Sequence, residues 1–188
     1  MKKTVIDGVN YYPHSNGGGL VAETATVSKT AYIGRDAIVH DNSEVSGNAE
    51  VFEYAQVFGS AKVFGHAMVW GNAKVTDAKI NASVWDNAEV FGNAEVSGNA
   101  KVWGNAKVWG NAKVWDNVQV FGKAKVWGNA KVFDHAEVFG DAEVSDYAEV
   151  SDYAEVSGKA KISGKAKISG NTKVTKDINS REKVTANT

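Results

Sequence analysis

The sequence predicts an all-β chain wound as a single parallel β-solenoid, and three observations predict it. Lys101 to Asn117 reads KVWGNAKVWGNAKVWDN, one six-residue unit written nearly three times. Within that unit Ala106 and Val108 alternate with Lys107 and Trp109, the period-two pattern of a short strand with one small apolar face. Gly110 and Asn111 then interrupt, and both residue types tolerate positive φ, so every strand ends in a corner. A chain that turns the same way every six residues stacks its coils at about 4.8 Å. Helix is a poor alternative: the apolar spacing makes no 3.6-residue stripe, and a glycine every turn or two costs about 1 kcal/mol each. The large inward slot is Val or Ile almost throughout and Leu20 is the only leucine, which suits strands.

An aliphatic residue at position i and a small one at i−2, every six residues from Val21 to Val174, resembles the hexapeptide-repeat proteins, including the bacterial transferase hexapeptide family. The resemblance implies a left-handed parallel β-helix of triangular section, with three hexapeptides and about 18 residues to a coil. The left hand and the triangle come from the resemblance, since β-crossovers in general are right-handed. One departure stands out. Acyltransferase members carry Gly or an acidic residue at i+1, whereas this chain places Trp, Phe or Ser there and moves Gly to i+2.

Residues 1–19 lie outside the repeat. Thr4-Val5-Ile6 and Val9-Asn10-Tyr11-Tyr12 flank Asp7-Gly8, a two-residue hairpin signal, and such a hairpin would cover the open edge of the first coil. His14, before Gly17-Gly18-Gly19, reads as a polar loop residue of this cap. Residues 20–174 are the solenoid, with inward aliphatics every six residues from Val21 to Val75 and again from Val84 to Val174. Between them the register breaks over 76–83. Read as two repeats, Val75 to Val84 is three residues short, which implies a tightened or bulged coil, or a kink that makes a pocket. Residues 175–188 are polar and lose the repeat, as a weak cap or frayed tail does.

A chain of 188 residues fits one domain, and a formal net charge of −1 offers no attraction for DNA or an anionic membrane. The absence of cysteine removes disulfides, thiolate chemistry and Cys-bound metal. The start, MKKTVIDGVNYY, has no apolar run of signal-peptide length and no transmembrane stretch follows, so a cytoplasmic protein is expected.

Side chains 18 positions apart stack on one face, which predicts external ladders: Trp85, Trp103, Phe121 and Phe139; Phe91, Trp109 and Trp127; Trp115 and Phe133. The slot at i−1 is banded. Lys101, Lys107, Lys113, Lys125 and Lys131 coincide with the aromatics, and Glu137, Glu143, Glu149 and Glu155 follow. Exposed aromatics of this extent need a partner, and Lys107 beside Lys125 and Lys113 beside Lys131 place like charges together. An anionic ligand such as a nucleotide, stacked on Trp103, Trp109, Trp115 or Trp127, would answer both needs. Ladders that only stabilise the sheet, with lysine stems over the rings, are the simpler alternative. Two prisms lying antiparallel would bring basic belt to acidic belt, while the family habit is a parallel trimer.

The expected function is therefore a non-catalytic, homo-oligomeric scaffold whose Trp/Phe/Lys belt binds a partner or small anionic ligand, including by nucleotide sequestration. No cofactor is expected. The resemblance carries an alternative, an acyltransferase with acyl-CoA as co-substrate and a histidine base, for which His66 or His135 would serve. An end-to-end polymer is a third reading. Metal is not expected, because His40, His66 and His135 are scattered, and neither the Thr ladders of ice binders nor the acidity of DNA mimics is present.

Overall fold

The computed structural model describes residues 3–77, 82–179 and 182–185. The described residues contain strands and no helix, arranged as a parallel β-solenoid of about nine turns on a triangular plan. The chain visits three sheets in rotation. Sheet 1 has twelve strands, sheet 2 nine and sheet 3 eight, each joined almost wholly by parallel pairs one coil apart. Most strands are two residues long, the length that the alternation Ala-Lys-Val-Trp leaves between corners. Lys107 pairs with Lys125 and Val108 with Val126, the register of every regular coil.

The core is a single column of small side chains. From Ala31 to Ile168 the inward Ala, Val and Ile are fully buried, with Val118 in one alanine slot. Burying a valine stabilises by roughly 1.5–3 kcal/mol, and each coil repeats that gain three times over. The inward slots of the repeats hold Ala, Val and Ile, and the Trp and Phe of the repeats lie on the outside.

The corners are built by left-handed backbone. Gly110 has φ 74°, and a side chain there would sit 3.0 Å from the Gly128 backbone of the next coil. Where the corner is not Gly it is nearly always Asp, as at Asp86, Asp116, Asp134, Asp146 and Asp152, whose φ values run from 58° to 63°. These aspartates add something glycine cannot. The Gly164 N–H donates to the Asp146 carboxylate at 3.0 Å, and the Gly170 N–H to Asp152 at 2.9 Å, each tying a corner to the next coil. The Asn beside the corner does likewise, for the Asn93 amide donates to Asn111 and Asn111 to Asn129, both at 3.1 Å.

The N-terminal hairpin is present. Strands β1 (Thr4–Ile6) and β2 (Val9–Pro13) turn at Asp7 and Gly8, both with positive φ, and β2 pairs antiparallel with β3 (Leu20–Ala22) at the top of sheet 1. Tyr11 is buried in this cap, and that burial, with Asp41 and Asp7 nearby, raises its phenol pKa. The solenoid then begins with β4 (Thr26–Val27) on sheet 2 and β5 (Tyr32–Ile33) on sheet 3.

Two expectations are corrected. Lys62 pairs with Ser83, Met68 with Glu89 and Val75 with Val96, so the coil through 76–83 is three residues longer than its neighbours, not shorter. Val75 to Val84 is one lengthened repeat; residues 78–81, where the expected bulge or kink falls, lie outside the described residues. The second correction concerns 175–188. Ile178 bridges to Ile162 and the strand Lys183–Thr185 pairs with Lys167–Ser169, so the last coil continues after its sequence signal has gone. Ile178 follows Val174 by only four residues, and that shortened step hid it from a six-residue count.

Candidate functional site

The alternation that buries Ala and Val puts i−1 and i+1 side by side on the outside of each sheet, so every face carries one charged column and one aromatic column. The belt residues are thereby divided among three faces. Lys101 and Trp103 lie on sheet 2; Lys107, Trp109, Lys125 and Trp127 on sheet 3; Lys113, Trp115 and Lys131 on sheet 1. Sheet 3 gathers the most of them, and its face is the candidate site.

The aromatics form stacks with their rings nearly parallel. On sheet 3 the order is Phe52, Trp70, Phe91, Trp109 and Trp127, with ring centroids 4.4–5.6 Å apart and planes within 6°. On sheet 2 it is Phe64, Trp85, Trp103, Phe121 and Phe139. On sheet 1 the ring pairs among the described residues are His40–Phe58 and Trp115–Phe133. Phe64 meets Trp85 and Trp70 meets Phe91 across the lengthened coil, 21 residues apart, which an 18-residue count could not find.

The expectation that these rings face solvent needs revision: every Trp is half-buried, and each ring face covers its neighbour. What a ladder offers to the outside is ring edges, worth about 0.5–1.5 kcal/mol per stacked pair to the fold itself. The ladder on sheet 3 ends at Trp127, beyond which the slot holds Ser145, itself buried.

The lysines are also supplied from within. Lys107 and Lys125 are neighbours, as are Lys113 and Lys131. Each turns the other way: Lys107 to Glu89 at 2.9 Å, Lys125 to Glu143 at 3.2 Å, Lys113 to Glu95 at 3.0 Å and Lys131 to Glu149 at 3.4 Å. Glu149 also meets Lys167 at 2.6 Å, and that hydrogen bond, helped by the charges of Lys167 and Lys131, holds its carboxyl below the usual carboxylate range. Lys125 and Lys131 of the basic belt thus pair with Glu143 and Glu149 of the acidic one across coils of one chain, and Lys107 and Lys113 pair with the earlier Glu89 and Glu95. Lys101 has no ion pair among the described residues; it borders a shallow depression of about 260 Å³ with Asn99, Asn117 and Gln119.

The two candidate histidines differ. His135 is held at its corner, 3.2 Å from the Asn117 amide and stacked on Tyr153 at 4.8 Å. His66 is exposed and lines a groove of about 540 Å³ that runs along the charged side of sheet 3, with Glu50, Met68, Glu89 and Lys107 on one wall and Asn48, Asn87 and Asn105 on the other. The sequence offers His66 only as the base of the acyltransferase alternative; that it lines a groove depends on which residues lie one coil away, which spacing along the chain does not reveal. No group of three or more metal-ligating side chains occurs among the described residues, and none of their helices could cross a membrane because none is present. The chain matches no protein-family model, no curated protein and no solved structure.

Proposed function

We propose that the chain is a rigid, non-catalytic scaffold of the left-handed hexapeptide-repeat type, working in the cytoplasm, which associates with copies of itself or a partner through the face of sheet 3. One observation carries the reading: five stacked, half-buried rings from Phe52 to Trp127 share a flat face whose lysines are neutralised by Glu89 and Glu143. A flat strip with apolar edges and little net charge packs well against another flat surface. Because the charges are matched within the chain, the attraction between basic and acidic belts gives the antiparallel dimer little advantage over a trimer.

A nucleotide base would stack at the ladder end, on Trp127 beside Lys125, where the column of rings stops. The groove at His66 favours a second reading, a small polar ligand or, in the acyltransferase alternative, acyl-CoA as co-substrate. Native mass spectrometry on protein purified gently from cells separates these. Interface use predicts a discrete oligomer for the wild type and a folded monomer for Trp109→Ser with Trp127→Ser, serine being what this chain itself places in that slot at Ser145. An unchanged mass would leave the ladders a matter of stability alone and refute the reading. Turnover of acyl-CoA would replace it.

A further inference from the structure

At the N-terminal end of the prism the three sheets are closed differently. Sheet 1 is covered by β2 and β1. Sheet 3 is covered by the segment Asn16–Gly19, which imitates a preceding strand: the Asn16 side-chain amide donates to the Ala31 carbonyl at 3.1 Å, the Gly19 N–H to the Ile33 carbonyl at 2.9 Å, and the Ile33 N–H to the Asn16 carbonyl at 3.0 Å. Gly17 and Gly19 permit this, since a side chain on either would lie 2.2 Å from a backbone carbonyl oxygen, that of Ile33 or of Gly34. Sheet 2 has no such cover. Strand β4 pairs on one side only, with Glu44–Val45, and the equivalent trio — the Ala25 carbonyl, the Val27 carbonyl and the Val27 N–H — has no hydrogen-bond partner among the described residues.

The apolar side of this position is open as well. Ala25 and Val27 are only partly buried, while their counterparts through the middle of the prism are fully so. Beside them lies a cleft of about 520 Å³ walled by Tyr12, Pro13, Val21, Ala25 and Val27, with His14, Glu23 and Lys29 at its rim. The result is a notch one strand deep on sheet 2, flanked by raised backbone on sheets 1 and 3. That relief excludes a second prism stacked coaxially, whose far end is itself raised on sheets 1 and 3 by Lys183–Thr185 and Ile178 and would meet the hairpin first, and admits a single extended segment.

We propose that this notch receives an extended peptide segment of a partner protein, added parallel to β4 with the order small, polar, branched aliphatic. The order follows from the fold: the other coils carry a small residue in this slot, Ala nearly throughout with Ser43, Val118 and Thr172 as the exceptions, and Val or Ile above Val, with the residue between them pointing outward. In the register used throughout, the segment's polar residue donates its N–H to Ala25 and accepts from Val27, and the residue after the aliphatic donates to Val27. Mixed charges at the rim leave selection to shape and backbone. This proposal does not rest on the face of sheet 3.

The test uses the full chain and a labelled hexapeptide, Asn-Ala-Lys-Val-Trp-Gly, the chain's own repeat. Fluorescence anisotropy should show saturable binding with Kd below about 1 mM. Binding should be lost on N-methylation of the peptide's Lys and Trp amides, which deletes the two donors. By NMR the peptide should slow exchange of the Val27 amide by about tenfold or more. Val27→Pro, which removes that donor at an edge position, should abolish binding, and the N-methylated peptide serves if this variant misfolds. No binding, equal binding of the N-methylated peptide, or protection of another strand edge in place of Val27 would overturn the proposal. Val27 protection that rises with protein concentration alone would assign the notch to a second copy, and overturn it too.

Discussion

The corner residue shows how much one dihedral angle decides. Position i+2 needs φ near +60° to +75°, and the chain fills it with Gly or with Asp, whose carboxylate recovers part of the cost by accepting an N–H from the next coil. Glu53 is the outlier, held at φ 55° with a longer side chain for which no such bond is present among the described residues. Left-handed backbone costs roughly 1–2 kcal/mol for an ordinary residue and almost nothing for glycine. Glu53→Gly should therefore raise stability by about 1 kcal/mol in urea melts. The role of glycine at these corners was legible in the sequence. That of aspartate was not, because its partner lies 18 residues away and only coil stacking brings it near.

At the scale of the strand and its column, charge is organised by what sits above and below. Glu149 lies between Lys131 and Lys167 on sheet 1, and the Lys167 hydrogen bond lowers its pKa. A carboxyl with a depressed folded-state pKa adds stability above its unfolded value and loses that contribution as pH falls through the folded one. Glu149→Gln should accordingly melt lower than wild type at pH 7, and the gap should narrow as the pH falls below the usual carboxylate range. A gap that persists unchanged in acid would mean the carboxylate is not the cause. The belts were visible as runs of Lys and Glu, but their pairing was misread as unmet, since a linear reading sees Lys107 against Lys125 and not the rotamers that turn each toward its own glutamate. The same holds for the aromatics. Their columns could be counted; that the rings lie flat on one another, and so spend their faces, follows from parallel strands one coil apart.

For the whole molecule the repeat makes stability close to a sum over coils and their contacts. Deleting residues 105–122 removes one whole coil and brings Glu89 to Lys125, Glu95 to Lys131 and Trp103 to Phe139, while eliminating the Lys107–Lys125 and Lys113–Lys131 neighbours. This variant should fold cooperatively and melt within about 5 °C of wild type, as followed by circular dichroism. Deleting Val108 alone instead breaks the alternation within a strand and moves Trp109 into an inward slot, so it should melt far below the 105–122 deletion by the same measurement. The lengthened coil through 76–83 is tolerated for a related reason: three residues added between strands leave the alternation on either side intact.

By itself the sequence determined the parallel β-solenoid, the strand and corner of each repeat, the inward Ala and Val, and the hairpin at the start. It could do so because a strict period of six repeats one local decision, inward or outward, at every turn of the chain, and local alternation is written in residue order. The tertiary structure alone decided what each outward residue meets. The division of the belt among three faces, the lengthened coil, the groove at His66 and the uncovered edge of β4 all depend on which residue lies one coil away. That distance is about 4.8 Å in space and a full coil in sequence.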